Sequence, residues 1–429
     1  MKLPRVPHFS TAEIDESINL AKNPGILKAA IEYNSRYLHW EELRHRQLPA
    51  DAKQVWALMK LLRRAYTREI VFSGRHFPYT ISDTCWQMLH HLDKTAAGNI
   101  LSVLDTIGHD RERYIVNSLM EEAIASSQLE GAATTRRVAK QMLRERRKPR
   151  NRDEQMIFNN YLTMKEIRKI TRSDLTPDIL LSIQKMITSG TLEDPDDEGR
   201  FRDNDEIRVV DGTGTILHTP PPARQIPGLI EELCRFANGL EDHFIHPIIK
   251  GIFLHFLIGY IHPFNDGNGR TARSIFYWYV LRNDYWLFEY MALSRTIMDT
   301  KGLYKKAYVY TESDDDDLTY FIHYNLTSIE KTVKEIQAYI REQHDERIRT
   351  LHSIQASDDL SFRQIDILKQ IVKNPDKPVR IKEIEETYHV AYATARGDLI
   401  GLEKLGYLKR RTSGKEYYFL FIGVPKDED

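Results

Sequence analysis

The stretch Gly251 to Tyr260 is apolar except for His255, and it runs directly into His262-Pro263. Apolar residues on every side predict a buried helix. Proline disfavours α geometry at the residue before it, so this helix ends at His262 and leaves the imidazole at the mouth of a tight loop. Gly267 and Gly269 let backbone approach a ligand closely. Helical spacing resumes near Arg270, and a helix N-terminus with free amides is an anion site. The rest of the chain has to build around this helix, loop and helix.

Helical spacing dominates elsewhere too, as in Val55, Leu58, Met59, Leu62 and in Ile248, Ile252, Phe253, Phe256, so the fold is expected to be mainly α. Strand signal is read in two places, Ile207 to Thr219 and Tyr407 to Phe421, each with turn residues in its middle. A length of 429 residues exceeds one comfortable core. Three domains are expected: a helical N-terminal region over 1–107, a central domain over 108–350 and a third over 351–429, with the break where 341–359 becomes charged and loses apolar bulk. The basic run Arg146 to Arg150 and the acidic run Asp314 to Asp317 read as solvated loops. A nucleic-acid patch is the alternative for the first and a metal site for the second.

No apolar run approaches the roughly 20 residues of a membrane span, which argues against an integral membrane role. The N-terminus lacks the apolar core of a secretory signal, so a cytoplasmic location is expected. Cys85 and Cys234 cannot make a disulfide framework and are expected to be small buried hydrophobes. A net charge of −1 gives no global pull toward nucleic acid or membrane.

Chemistry concentrates in His262 to Arg273. Arg270 and Arg273 are three apart and share a helix face in a first turn where the dipole disfavours cations. They need anionic partners, and a polyphosphate would satisfy them bidentately. Asp266 could hold Mg²⁺ together with phosphate oxygens. His262 is placed to take a proton from an attacking hydroxyl near neutral pH.

This segment, H-P-F-N-D-G-N-G-R-T-A-R, resembles the Fic signature H-P-F-x-D/E-G-N-G-R-x-x-R at every specified position. Resemblance extends through Gly199 to Arg202, His218 to Pro221 and Tyr304 to Leu326, covering roughly 108–345. It implies a helical Fic core with His262 as general base and Asp266 as Mg²⁺ carrier. It further implies that Gly267, Asn268 and Gly269 form the anion hole, with Arg270 and Arg273 on the terminal phosphates. Relatives that phosphorylate depart from the Gly-Asn-Gly-Arg segment, so the implied reaction is transfer of AMP from ATP to a Tyr, Thr or Ser hydroxyl of a target protein or of the chain itself, releasing pyrophosphate.

Ser126 to Gly131 resembles the family's inhibitory motif, Ser/Thr-x-x-x-Glu-Gly/Asn. It implies that Glu130 pairs with Arg273 and occupies space that ATP needs. In some relatives the same glutamate positions a water that removes AMP, and a de-adenylylating hydrolase is therefore an alternative. The hairpin at 207–219 is implied to be a flap that holds the protein substrate by strand addition.

Residues 361–423 carry three helical segments, Phe362 to Val372, Ile381 to Tyr388 and Tyr392 to Lys404, then a wing around Thr412 to Lys415, and resemble winged-helix domains. Arg396, Lys404, Lys409, Arg410, Arg411 and Lys415 would form a positive face suited to phosphates, diluted by Asp398, Glu403 and Glu416. DNA and protein both remain open as its partner. A DNA-binding regulator whose Fic fold only senses nucleotide is a further alternative, against which an intact His262 argues. Oligomeric state, a homodimer included, and the role of residues 1–107 are open.

Overall fold

The computed structural model describes residues 4–97, 111–239, 244–357, 359–373, 377–413 and 416–425. The chain divides into two compact units, one holding the N-terminal residues with Val116–Val333, the other Lys334 onward with the residues just before Val116.

In the first unit, α1 (Thr11–Glu16) starts from a capping box between Ser10 and Glu13. It is followed by α2 (Pro24–Ser35), α3 (Trp40–Leu43) and α4 (Ala52–Arg64). Val55, Leu58 and Met59 of α4 pack with Ile26, Ala30, Trp40 and Leu43, the face their spacing predicts. A hairpin that the sequence reading did not anticipate comes next: β1 (Arg68–Phe72) pairs antiparallel with β2 (Arg75–Tyr79). Its two-residue loop, Ser73-Gly74, has both φ angles positive, 50° and 72°, as a twist-matched hairpin turn requires. Ile70, Phe72, Phe77 and Tyr79 face inward, but charged strand starts and Pro78 obscure that alternation. Helix α5 (Asp83–Leu92) follows with Cys85 buried, and Cys234 is likewise buried and free.

The remainder of this unit comprises α6 (Arg111–Leu129) from Val116 onward, α7 (Arg136–Glu145), α8 (Arg152–Lys169), α9 (Pro177–Thr188), the hairpin β3 (Val209–Val210) with β4 (Ile216–His218), and α10 (Ile226–Ala237). At its centre α11 (Pro247–Ile261) leads into α12 (Asn268–Arg282). Ile248, Ile252, Phe253 and Phe256 of α11 have no exposed surface. Three helices close the series, α13 (Leu293–Asp299), α14 (Lys301–Ser313) and α15 (Thr319–Ala356), the last of which continues past Val333.

The acidic run between α14 and α15 is not a solvated loop. Asp314, Asp316 and Asp317 are buried, at 1%, 8% and 5% exposure. Lys60 lies 2.5 Å from Asp314, Arg75 donates to Asp316 at 2.6 Å and Tyr37 donates to Asp317 at 2.7 Å. Leu318 donates its amide to Pro78 O. The run is thus the seat on which the N-terminal helices and hairpin dock.

In the second unit, α16 (Phe362–Lys373), α17 (Ile381–Tyr388) and α18 (Tyr392–Lys404) precede the hairpin of β5 (Leu408–Ser413) and β6 (Glu416–Phe421). Ile367, Leu368, Ile384, Leu399, Leu402 and Phe419 form its core. Asp398 does not dilute a basic surface, because it is buried and takes two bonds from Arg363, at 2.6 and 3.3 Å. Glu403 is held by Arg410 at 3.5 Å. The expected wing turn at Gly414-Lys415 and the expected boundary at 107/108 lie outside the described residues. The boundary expected at 350/351 falls within α15, while the compact units divide near Val333. Among the described residues no helix is long and apolar enough to cross a membrane.

Candidate active site

His262 caps α11 in the left-handed conformation, φ 49° and ψ 57°, with its amide on Ile258 O. Its ring Nδ1 lies 3.2 Å from Gly259 O. A carbonyl has no proton to give, so Nδ1 is the donor and Nε2 keeps its lone pair. Burial pushes the imidazole down to about 4, against the Gly259 bond, which raises it. The ring is neutral at pH 7 and able to accept a proton.

Helix α12 begins at Asn268, two residues earlier than expected, with Gly267 as N-cap at φ 89°. A side chain on Gly267 would also meet Thr188 Cγ2 at 2.9 Å. Asn268 accepts from Phe264 N and donates to Phe264 O, at 3.0 and 2.8 Å. Its side chain therefore holds the loop, and its backbone is what it can offer an anion.

The two arginines do not converge as their spacing predicts. Arg270 is fully buried and donates to Ile187 O at 3.0 Å and to Asp266 at 3.3 Å. Arg273 turns toward α6, donating to Ser126 Oγ at 2.8 Å, Ser126 O at 3.0 Å and Glu130 Oε1 at 2.8 Å. Asp266 also accepts from Gly267 N at 2.5 Å and has Arg152 at 3.6 Å. Its side chain is 39% exposed. Among the described residues no cluster of three metal-ligating side chains exists. A Mg²⁺ ion held there would have Asp266 as its single carboxylate ligand and would need phosphate and water oxygens beside it.

Glu130 follows the end of α6, where Gly131 at φ 100° turns the chain. Its carboxylate lies against Gly269, so closely that a Cβ there would stand 2.1 Å from Oε1. Burial raises its pKa, but the charge and hydrogen bond of Arg273, with Arg270 and Lys301 behind them, outweigh that and hold it below the ordinary value. Lys301 donates to Leu129 O at 3.0 Å.

Of these groups, His262, Asn268, Gly269, Arg273 and Glu130 share one cavity of about 210 Å³, walled also by Val209, Val210 and Leu217 of the hairpin and by Lys301, Tyr304, Lys305 and Tyr308 of α14, whereas Asp266, Gly267 and Arg270 do not line it. The hairpin leaves Val210 and Ile216 half exposed.

Three supporting residues had no role in the sequence reading. Arg202 is buried and donates to His262 O at 2.9 Å, Asn204 O at 2.7 Å and Pro221 O at 2.5 Å, clasping the loop. His218 anchors the hairpin between Glu312 and Tyr260 O, both at 2.7 Å. Lys301 is the third. The segments containing Arg202 and His218 stand out in the sequence, but the partners His262 O, Glu312 and Tyr260 O lie 42 to 94 residues away.

Residues 174–280 match the family model described as the Fic/DOC family. The protein adenylyltransferase Fic of Drosophila yakuba is 29% identical over 125 residues, 29% of this chain and 23% of that protein. Its Drosophila persimilis counterpart is 33% identical over 92 residues, 21% and 17% respectively. The matches therefore span less than a quarter of the length of these curated relatives. A crystal structure of a Fic family protein from Desulfovibrio desulfuricans G20 is similar in fold, with a TM-score of 0.53 and 18% identity, covering 82% of this chain and 99% of that one.

Proposed function

Because residues 174–280 are a Fic/DOC domain, we propose that this chain is a protein adenylyltransferase restrained by its own Glu130. The observation that carries the reading is one cavity holding the neutral base His262, the amides at the start of α12 and an Arg273 occupied by a carboxylate. A hydroxyl of a target protein attacks the α-phosphorus of ATP, His262 Nε2 takes its proton, and pyrophosphate leaves. The N–H groups at the α12 N-terminus face the developing charge on the phosphate oxygens, where fixed donors act without reorganising. A Mg²⁺ ion held by Asp266 would neutralise phosphate charge. Val210 and Ile216 offer an exposed strand pair for main-chain docking of the target.

Glu130 and a γ-phosphate are both anions suited to one guanidinium, so removing the carboxylate frees Arg273 for the nucleotide. The test is incorporation of label from α-labelled ATP with Mg²⁺, comparing the parent, Glu130→Gly and Glu130→Gly with His262→Ala. Label should rise with the first change and vanish with the second. Equal label in all three defeats the reading.

For the second unit we propose a winged helix that contacts nucleic-acid phosphates. The inward pairing of Asp398 and the Glu403–Arg410 pair support it, since Arg396, Lys404, Lys409 and Arg411 are exposed on α18 and β5. Duplex DNA should bind with an affinity that falls steeply with salt and weakens in Arg396→Ala. Salt-independent binding, or none, assigns this face to a protein.

A further inference from the structure

A buried carboxylate on α6 takes no part in the chemistry above. Glu122 is 1% exposed, two turns before Glu130. It accepts from Tyr277 Oη at 2.9 Å, from Ser294 N at 2.9 Å and from Ser294 Oγ in a short bond. Tyr277 belongs to α12, one turn beyond Arg273, and itself accepts the Leu293 amide at 2.9 Å.

These contacts form a ladder. Stepping four residues at a time along α6 and just past its end gives Glu122, Ser126 and Glu130; stepping four at a time the opposite way along α12 gives Tyr277, Arg273 and Gly269. Glu122 meets Tyr277, Ser126 meets Arg273, and Glu130 lies on Gly269 and Arg273. Residues four apart share a helix face, so the two helices are matched in antiparallel register along one seam.

The rungs differ in firmness. The Glu130 end lies at the helix terminus with a side chain 33% exposed and open to the cavity. The Glu122 end is sealed, and sliding α6 would strand a buried carboxylate and its donors, which is costly in a low-dielectric interior. Resting on the inhibitory reading of Glu130, we infer that Glu122 is a positioning residue that holds α6 in the register laying Glu130 on Arg273. Restraint of the enzyme is then set two turns away from the cavity.

The full-length chain with α-labelled ATP and Mg²⁺ provides the test. Glu122→Gln keeps the volume but places an N–H₂ among donors, so it should raise AMP transfer several-fold while the protein remains folded by circular dichroism. In a Glu130→Gly background the same change should add nothing, because there is no carboxylate left to misplace. A merely structural defect would lower activity in both backgrounds. Tyr277→Phe, which deletes one donor, should show the same dependence on Glu130 with a smaller rise, and it decides the matter if Glu122→Gln does not fold. Parent-level transfer in both variants, or equal fold-changes with and without Glu130, overturns the inference. If Glu130→Gly raises transfer and the Glu122 and Tyr277 variants do not, positioning fails and inhibition stands; if Glu130→Gly itself raises nothing, both fail.

Discussion

Two short segments of the first unit, Asp266 to Arg273 and Asp314 to Asp317, crowd charge into a few residues and end in opposite conditions. Three of the aspartates, Asp314, Asp316 and Asp317, are closed over by Lys60, Arg75 and Tyr37 from the N-terminal elements while Asp315 stays exposed, and none of the four lines the cavity. In the other segment Asp266 stays 39% exposed, and the partner of Arg273 is a carboxylate that itself lines the cavity. Charge density alone therefore does not make a site. A cluster becomes a clasp when its partners are packed over it, and a site when a partner can leave and be replaced by a ligand of the same sign.

The sharpest test of this contrast is His262→Ala made in the Glu130→Gly enzyme. Transfer should fall by roughly 10²- to 10⁴-fold, the usual contribution of a general base, with the melting temperature unchanged. A drop in stability matching the drop in rate would mean that the loop is a clasp as well. Asp314→Ala should do the reverse. Removing one partner of a buried pair costs about 3–5 kcal/mol, so denaturant unfolding should shift by that order, whereas transfer per folded molecule should hold. Activity lost without any loss of stability would place the acidic run in the chemistry.

Glu130→Gly is a smaller change. A tenfold rise in transfer needs about 1.4 kcal/mol, within the roughly 1.5–3 kcal/mol of a hydrogen bond to a charged group. The smallest expected effect is a null between pH 6 and 8. The depressed pKa of Glu130 keeps its pair with Arg273 intact above the ordinary carboxylate range, and the pair is lost only as pH falls below it. His262 accepts protons only as pH falls toward about 4. The ratio of Glu130→Gly to parent transfer should therefore be flat over that window, and the acid limb of kcat/KM should lie well below 6.5. An acid limb near 6.5 would return His262 to a solvated environment.

Much of this was readable locally. Pro263 ends α11 where its steric clash requires, and the bounds of α17 and α18 follow from apolar periodicity, although neither helix has a side-chain N-cap. The β1–β2 hairpin is not legible in the sequence although Ser73-Gly74 is a turn signal, since Pro78 and the charged strand starts hide the alternation. The start of α12 came two residues early because Gly267 adopts the left-handed cap that the glycine spacing permits at more than one position.

By itself the sequence determined the helix–loop–helix and where its histidine, glycines and arginines stand along it, all consequences of sterics and polarity within a short segment. Only the tertiary structure decided what each charge faces. Glu130 reaches Arg273 across 143 residues, Tyr37 reaches Asp317 across 280, and Arg270 turns away from Arg273 to Ile187 O. Such pairings leave no local periodicity, because a charge is satisfied by whichever oppositely charged or hydrogen-bonding group the packed helices bring within about 3 Å, and that geometry exists only once the chain has folded.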